Sequence, residues 1–231
     1  MPIIEKSGGK KRLMPVAVAN KTLFFFVLLT IFFVPLLPSS YYHLAYSILF
    51  TIIFAAGIVL VSNNKNIIMA FAILAIVMVW ISTAVDIEAF KGVSKVINIV
   101  IFIFIVYDLV KQVSLAKKVT PKVILESVNG YLLIGMVFSL LVALLMSINP
   151  ESFSFNKLHS GTTPASFSFD QYLYFAFITL TTTGYGDVVP LTSIARSMST
   201  MISLTGQLYI AVVIALLVGK YISQKGNHTI N

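Results

Sequence analysis

The chain has no cysteine, one tryptophan and little charge. Each shortage excludes something. Without thiols there is no disulfide and no thiolate metal site. Charged residues fill 10% of the 231 positions, too few to cover a soluble domain of this length. Acids are scarcer than bases, 8 against 16, for a net charge of +8. A basic excess can mark a nucleic-acid binder. Here the lysines sit at the ends of apolar runs, where they meet lipid headgroups, so no nucleic-acid partner is expected. His43, His159 and His228 lack metal-ligand spacing. No nucleophile, base or paired-carboxylate constellation is present. The chain therefore reads as a non-enzyme with no small-molecule substrate and no cofactor.

Apolar residues are what it has, at 58% of the sequence and in long runs. A helix needs about 20 such residues to cross a hydrocarbon core. Runs near 22–38, 41–61, 66–85, 93–110, 124–148 and 194–222 qualify, which makes six expected transmembrane helices. With the N-terminus inside, 12 of the 16 basic residues fall on the inner face. The positive-inside rule then gives a multi-pass cell-membrane protein with both termini cytoplasmic. A basic stretch before an apolar run also fits a cleaved signal peptide, but five remaining spans would fit the charge pattern poorly. The sequons at Asn20 and Asn227 fall on the inner face and read as unused.

Between the fifth and sixth runs lies Asp170-Gln-Tyr-Leu-Tyr-Phe-Ala-Phe-Ile-Thr-Leu-Thr-Thr-Thr-Gly-Tyr-Gly-Asp187. Its apolar part, about 12 residues, makes a helix of roughly 18 Å, too short to span. Asp170 is the expected N-cap. The segment reads as a re-entrant half-helix, a form tolerated at membrane depth where it lines a cavity or is buried in protein. Thr182-Thr183-Gly184-Tyr185-Gly186-Asp187 comes next. This run resembles the selectivity filter of potassium channels, Thr-x-Gly-Tyr-Gly. Backbone carbonyls can replace the water around a potassium ion if successive residues aim them at one axis. Gly184 and Gly186 permit the dihedrals this requires. The resemblance implies that the carbonyls of Thr182, Thr183, Gly184 and Tyr185, with the Thr182 hydroxyl, bind potassium as the permeant ion. It also implies that Tyr185 points outward to brace the filter and that Asp187 stands at the outer mouth. One chain supplies one filter strand, so the expected assembly is a homotetramer among membrane lipids.

The chain departs from many relatives, which carry paired tryptophans where it has Tyr174 and Phe175. An indole there can hold the filter aspartate, and Phe175 has no donor. Some relatives place a glutamate at the position of Ile178. Two usual partners of Asp187 are thus expected to be missing. The half-helix should also point its negative dipole end at the ion path.

In the sixth run Gly206 comes 20 residues after Gly186, partway down the inner helix. There the family has a hinge glycine, and Gly-Gln-Leu-Tyr resembles bacterial inner helices. Close packing explains Gly206 equally well. Gln207, Ile210, Ile214 and Val218 share one helical face and are expected to line the cavity. Ile214 and Val218 are candidates for a gate that closes by dewetting.

Six-span relatives use their first four helices as a voltage sensor. Here the fourth run offers only Lys95 near its outer end, Asn98, and Asp108 near its inner end. One charge moved through 100 mV yields about 2.3 kcal/mol, so steep voltage gating is not expected. These helices read as structural, or else as a sensor of lipid, tension or a small ligand. The basic linker from Lys111 to Lys122 lies along the inner interface and couples to the sixth span, or carries lysines that only mark topology. His159 in the outer turret offers a protonation site.

The fold expected is an all-α membrane protein, with a re-entrant pore helix and selectivity filter between helices five and six. Its parts are an N-terminal tail (1–21), a four-helix sensor-like domain (22–110), a basic linker (111–123), a pore domain (124–222) and a C-terminal tail (223–231). The function expected is passive, potassium-selective conduction with weak or no voltage gating. The alternatives are a non-conducting modulatory subunit and a secondary transporter. Against the transporter, the sequence shows no inverted repeat.

Overall fold

The computed structural model describes residues 16–61, 65–84, 88–116, 118–155 and 169–228. Among these the α-helices are α1 (Val16–Phe32), α2 (Tyr42–Leu60), α3 (Lys65–Ala84), α4 (Glu88–Leu115), α5 (Pro121–Ile148), α6 (Phe169–Leu180) and α7 (Ser193–His228). Five segments are long and apolar enough to cross a membrane: Val16–Leu36, Tyr42–Leu60, Gly92–Leu115, Pro121–Ile148 and Ser193–Gln224. Within α3 the apolar stretch is shorter, Met69–Ser82. The chain is thus a mostly helical membrane protein. Residues 1–15, with Lys6, Lys10, Lys11 and Arg12, lie outside the described residues, as do Lys117, Lys157 and His159.

The first helix starts earlier than its apolar run, at Val16, and so takes in Asn20 and Lys21. Asn20 is only 1% exposed. Burial of an amide is tolerated when its groups are hydrogen-bonded, and α5 supplies the partners. Asn20 Nδ2 donates to Glu126 Oε1 at 3.1 Å, and Asn129 Nδ2 donates to the Asn20 side-chain and main-chain oxygens, both at 3.0 Å. Lys122 Nζ lies 3.4 Å from the buried Glu126 carboxylate. Past Phe32 the chain tightens into a 3-10 turn over Val34–Leu36, where Pro35 cannot donate to a continuing helix.

Helix α5 has its start written in the sequence. Thr120 caps it, its side chain accepting from the Val123 amide, and Pro121 opens the first turn. Only residues 116–120 separate α4 from α5, so α4 packs along the α5 of its own chain. The last turn of α4 receives an outside donor. Lys220 Nζ of α7 reaches the Val113 and Ser114 carbonyls at 2.8 and 2.7 Å, and Gln224 Oε1 accepts from the Val119 amide at 3.0 Å. Deeper in α4, Gln112 Nε2 donates to Asp108 Oδ2 at 2.8 Å and to the Leu60 carbonyl of α2 at 2.9 Å.

The core joins the two halves of the molecule. Phe50, Phe54 and Phe102 stack edge and tilt between α2 and α4. Tyr46 and Phe50 meet Phe169, the first residue of α6, at ring distances of 4.9 and 5.8 Å. Beside the helices, the described residues form one short two-stranded ribbon. Strand β1 (Phe153–Phe155) pairs antiparallel with β2 (Val188–Pro190), and the Leu191 amide donates to the Ser152 carbonyl at 2.9 Å. This small ribbon anchors the chain just after Asp187.

Candidate functional site

The half-helix is present as α6, 12 residues long. It begins at Phe169, so Asp170 stands in the first turn and not at the cap position. A carboxylate there still favours the positive end of the helix dipole. Its seat on α5 is close: a β-carbon at Gly135 would collide with the Phe177 ring.

The backbone beyond α6 is ordered by the last carbonyls of that helix. The Thr182 amide donates to Thr179 O at 3.0 Å, and the Thr183 and Gly184 amides donate to Ile178 O at 2.9 and 3.1 Å. Three consecutive N–H groups are thus turned back onto the helix. The Ile178 and Thr179 carbonyls near the C-terminal end of α6 are thereby engaged by the strand that follows. The backbone alternates in hand. Thr182, Gly184 and Gly186 have φ of +58°, +53° and +81°, while Thr183 and Tyr185 stay at ordinary negative φ. Alternating hand along a strand gathers N–H groups on one side and leaves the carbonyls on the other. Glycine reaches this region freely. Thr182 is β-branched, and its conformation costs on the order of 1–3 kcal/mol unless its surroundings hold it.

They do hold it. Thr182 Oγ1 donates to Thr181 O at 2.7 Å and accepts from Gln207 Nε2 of α7 at 3.0 Å. Thr181, absent from the expected site, contributes as well. Its hydroxyl lies 2.8 Å from Phe177 O and 3.0 Å from the Thr183 hydroxyl. A run of hydroxyls beside the glycines was the available signal for it.

Asp187 is not left without partners. Tyr174 Oη donates to Asp187 Oδ2 at 2.6 Å, and the Val188 amide donates to Oδ1 at 3.1 Å. The indole donor is absent as expected, and the Tyr174 phenol supplies a donor in its place. Phe175 is 3% exposed and packs on Phe153, ring to ring at 4.8 Å. Tyr185 is 72% exposed on the single chain.

The position of Gly206 is explained by packing. A β-carbon there would run into the Leu180 carbonyl oxygen at the end of α6. One turn on, Tyr209 Oη donates to the Ser127 carbonyl of α5 at 2.6 Å, and its ring lies over Gly130. Below this seat much of the α7 surface is uncovered. Gln207, Ile210, Ile214 and Val218 are all exposed, together with Leu208 and Val212 on other faces. Among the described residues no group of three or more His, Asp or Glu is placed to hold a metal.

Residues 131–223, which run from α5 through α6 and the glycine strand into α7, match the profile of a family described as ion channel. No curated protein and no solved structure matches the chain. Over that stretch the chain is similar to an ion-channel family.

Proposed function

We propose that the chain is the pore-forming subunit of a potassium-selective channel, with six transmembrane helices, working as a homotetramer in the cell membrane with both termini in the cytoplasm. The observation that carries this reading is the alternation of left-handed φ at Thr182, Gly184 and Gly186, with the Thr182, Thr183 and Gly184 amides turned onto α6. That backbone supplies carbonyl oxygens from Thr182, Thr183, Gly184 and Tyr185 along one side, the arrangement a dehydrated potassium ion requires. α6 is then the re-entrant pore helix, and Asp187, held by Tyr174, stands at the outer mouth. Potassium is cargo, and no resident cofactor is proposed.

The contact of Gln207 with Thr182 supports the reading in which this face of α7 lines the cavity. Ile210, Ile214 and Val218 continue that face down the helix, and Ile214 and Val218 form the hydrophobic constriction. With no run of basic residues in α4, the channel is weakly voltage-gated or voltage-independent.

The test is flux through the purified chain in liposomes loaded with potassium and diluted into sodium. A potassium gradient should drive uptake of a tracer cation. Barium should block that uptake and Gly184→Ala should abolish it. Uptake that saturates at low turnover and demands a co-substrate would instead identify a transporter. Silence of the chain alone, with conduction restored by a second subunit, would identify a modulatory subunit.

A further inference from the structure

The Thr182 hydroxyl has one proton to donate and two lone pairs to accept with. The proton goes to Thr181 O, 2.7 Å away, and one lone pair takes the Gln207 Nε2 proton at 3.0 Å. One lone pair is left, and its direction is fixed by the other two bonds. Thr182 is also the one non-glycine residue of the described chain with positive φ. A side chain from a different helix therefore braces the strained end of the filter strand. Gln207 itself stands one residue past Gly206, whose packing on the Leu180 carbonyl sets the depth of α7 against α6. The reach of the amide is therefore set by the fold and not by a loop.

We infer that Gln207 is a positioning residue for the innermost cation site. By holding the Thr182 hydroxyl it aims the remaining lone pair at the ion. This rests on the channel reading, and it assigns to Gln207 more than lining the cavity. The ligand class is a dehydrated cation of potassium's size, and the affinity of the lowest site is what Gln207 controls.

Barium, a divalent ion close to potassium in radius, serves as the probe. Its binding to the full-length chain in detergent, in a buffer whose only other cation is a large organic one, is read by calorimetry, so conduction is not needed. Gln207→Met keeps the length of the side chain and removes the donor. It should weaken barium binding by about fivefold, the net worth of one hydrogen bond, with only a small loss of thermal stability from the brace it removes. The loss should persist in a Thr182→Ser background, which keeps the hydroxyl, and vanish in Thr182→Val, which lacks it. This is the signature of action through that group. A structural role alone would move stability and not the coupling. Unchanged barium affinity in Gln207→Met, or a loss equally large in the Thr182→Val background, would overturn the inference. Coupled barium loss in a chain that never carries potassium would sink the channel reading and leave the positioning role standing.

Discussion

At the scale of single residues, the bond between Tyr174 and Asp187 is the most exposed to test. It joins the middle of α6 to Asp187, just past the glycine strand, at 2.6 Å. A hydrogen bond to a carboxylate is worth about 1.5–3 kcal/mol when sheltered, and less here because Tyr174 is 40% exposed. Tyr174→Phe should thus cost about 1 kcal/mol, a shift of roughly fivefold between conducting and collapsed filter states. Tyr174→Trp should retain function, since an indole also donates. Single-channel recording checks this: shorter open bursts in the phenylalanine variant at unchanged potassium preference are expected, and identical bursts would show that the bond is idle.

The left-handed backbone at Gly184 and Gly186 was legible in the sequence, because glycine reaches positive φ freely. The left-handed Thr182 was not, since nothing in a threonine announces positive φ. It emerges only once Gln207, 25 residues later, is placed against it. The donor on Tyr174 was overlooked because the indole was sought, although the phenol stood at the paired-tryptophan position.

At the scale of elements, the sequence placed the helices well and their ends less well. Apolar runs mark where lipid is, and helices continue past lipid whenever a neighbour satisfies the polar residues. Asn20 lengthens α1 in this way, through Glu126 and Asn129. Lys220 ties α7 to the end of α4, answering at this one place whether the linker region touches the sixth helix. The last carbonyls of a helix lack internal partners, and a lysine there both donates and matches the dipole. The clamp thus links the four-helix half to the C-terminal end of the helix that bears Ile214 and Val218. Lys220→Met leaves the Val113 and Ser114 carbonyls without this donor. Hydrogen exchange across residues 113–120 should then quicken by about tenfold, the equivalent of roughly 1.4 kcal/mol. Protection equal to that of the wild type would mean that the elbow is held by packing alone.

At the scale of the whole molecule, the single chain is visibly unfinished. Only 11% of the apolar stretch of α7 is buried. A cleft of about 570 Å³ lies beside the filter strand, lined by Phe32, Asp170, Tyr174, Ile178 and Asp187 among others. Tyr185 projects from the strand, largely uncovered. An uncovered helix can face lipid, but on the proposed reading of residues 182–186 as a filter strand, that strand cannot. Its carbonyls at membrane depth require either an ion held from all sides or buried partners. One chain brings one strand, and four strands close a cage. The purified protein should accordingly give particles of four 25.4 kDa chains by native mass spectrometry. Gly206→Leu, which forces a side chain against the Leu180 carbonyl and lifts α7 from its seat, should shift the population toward smaller species. Monomers that still carry potassium selectively would refute the tetramer and the filter together, because no single strand can surround an ion.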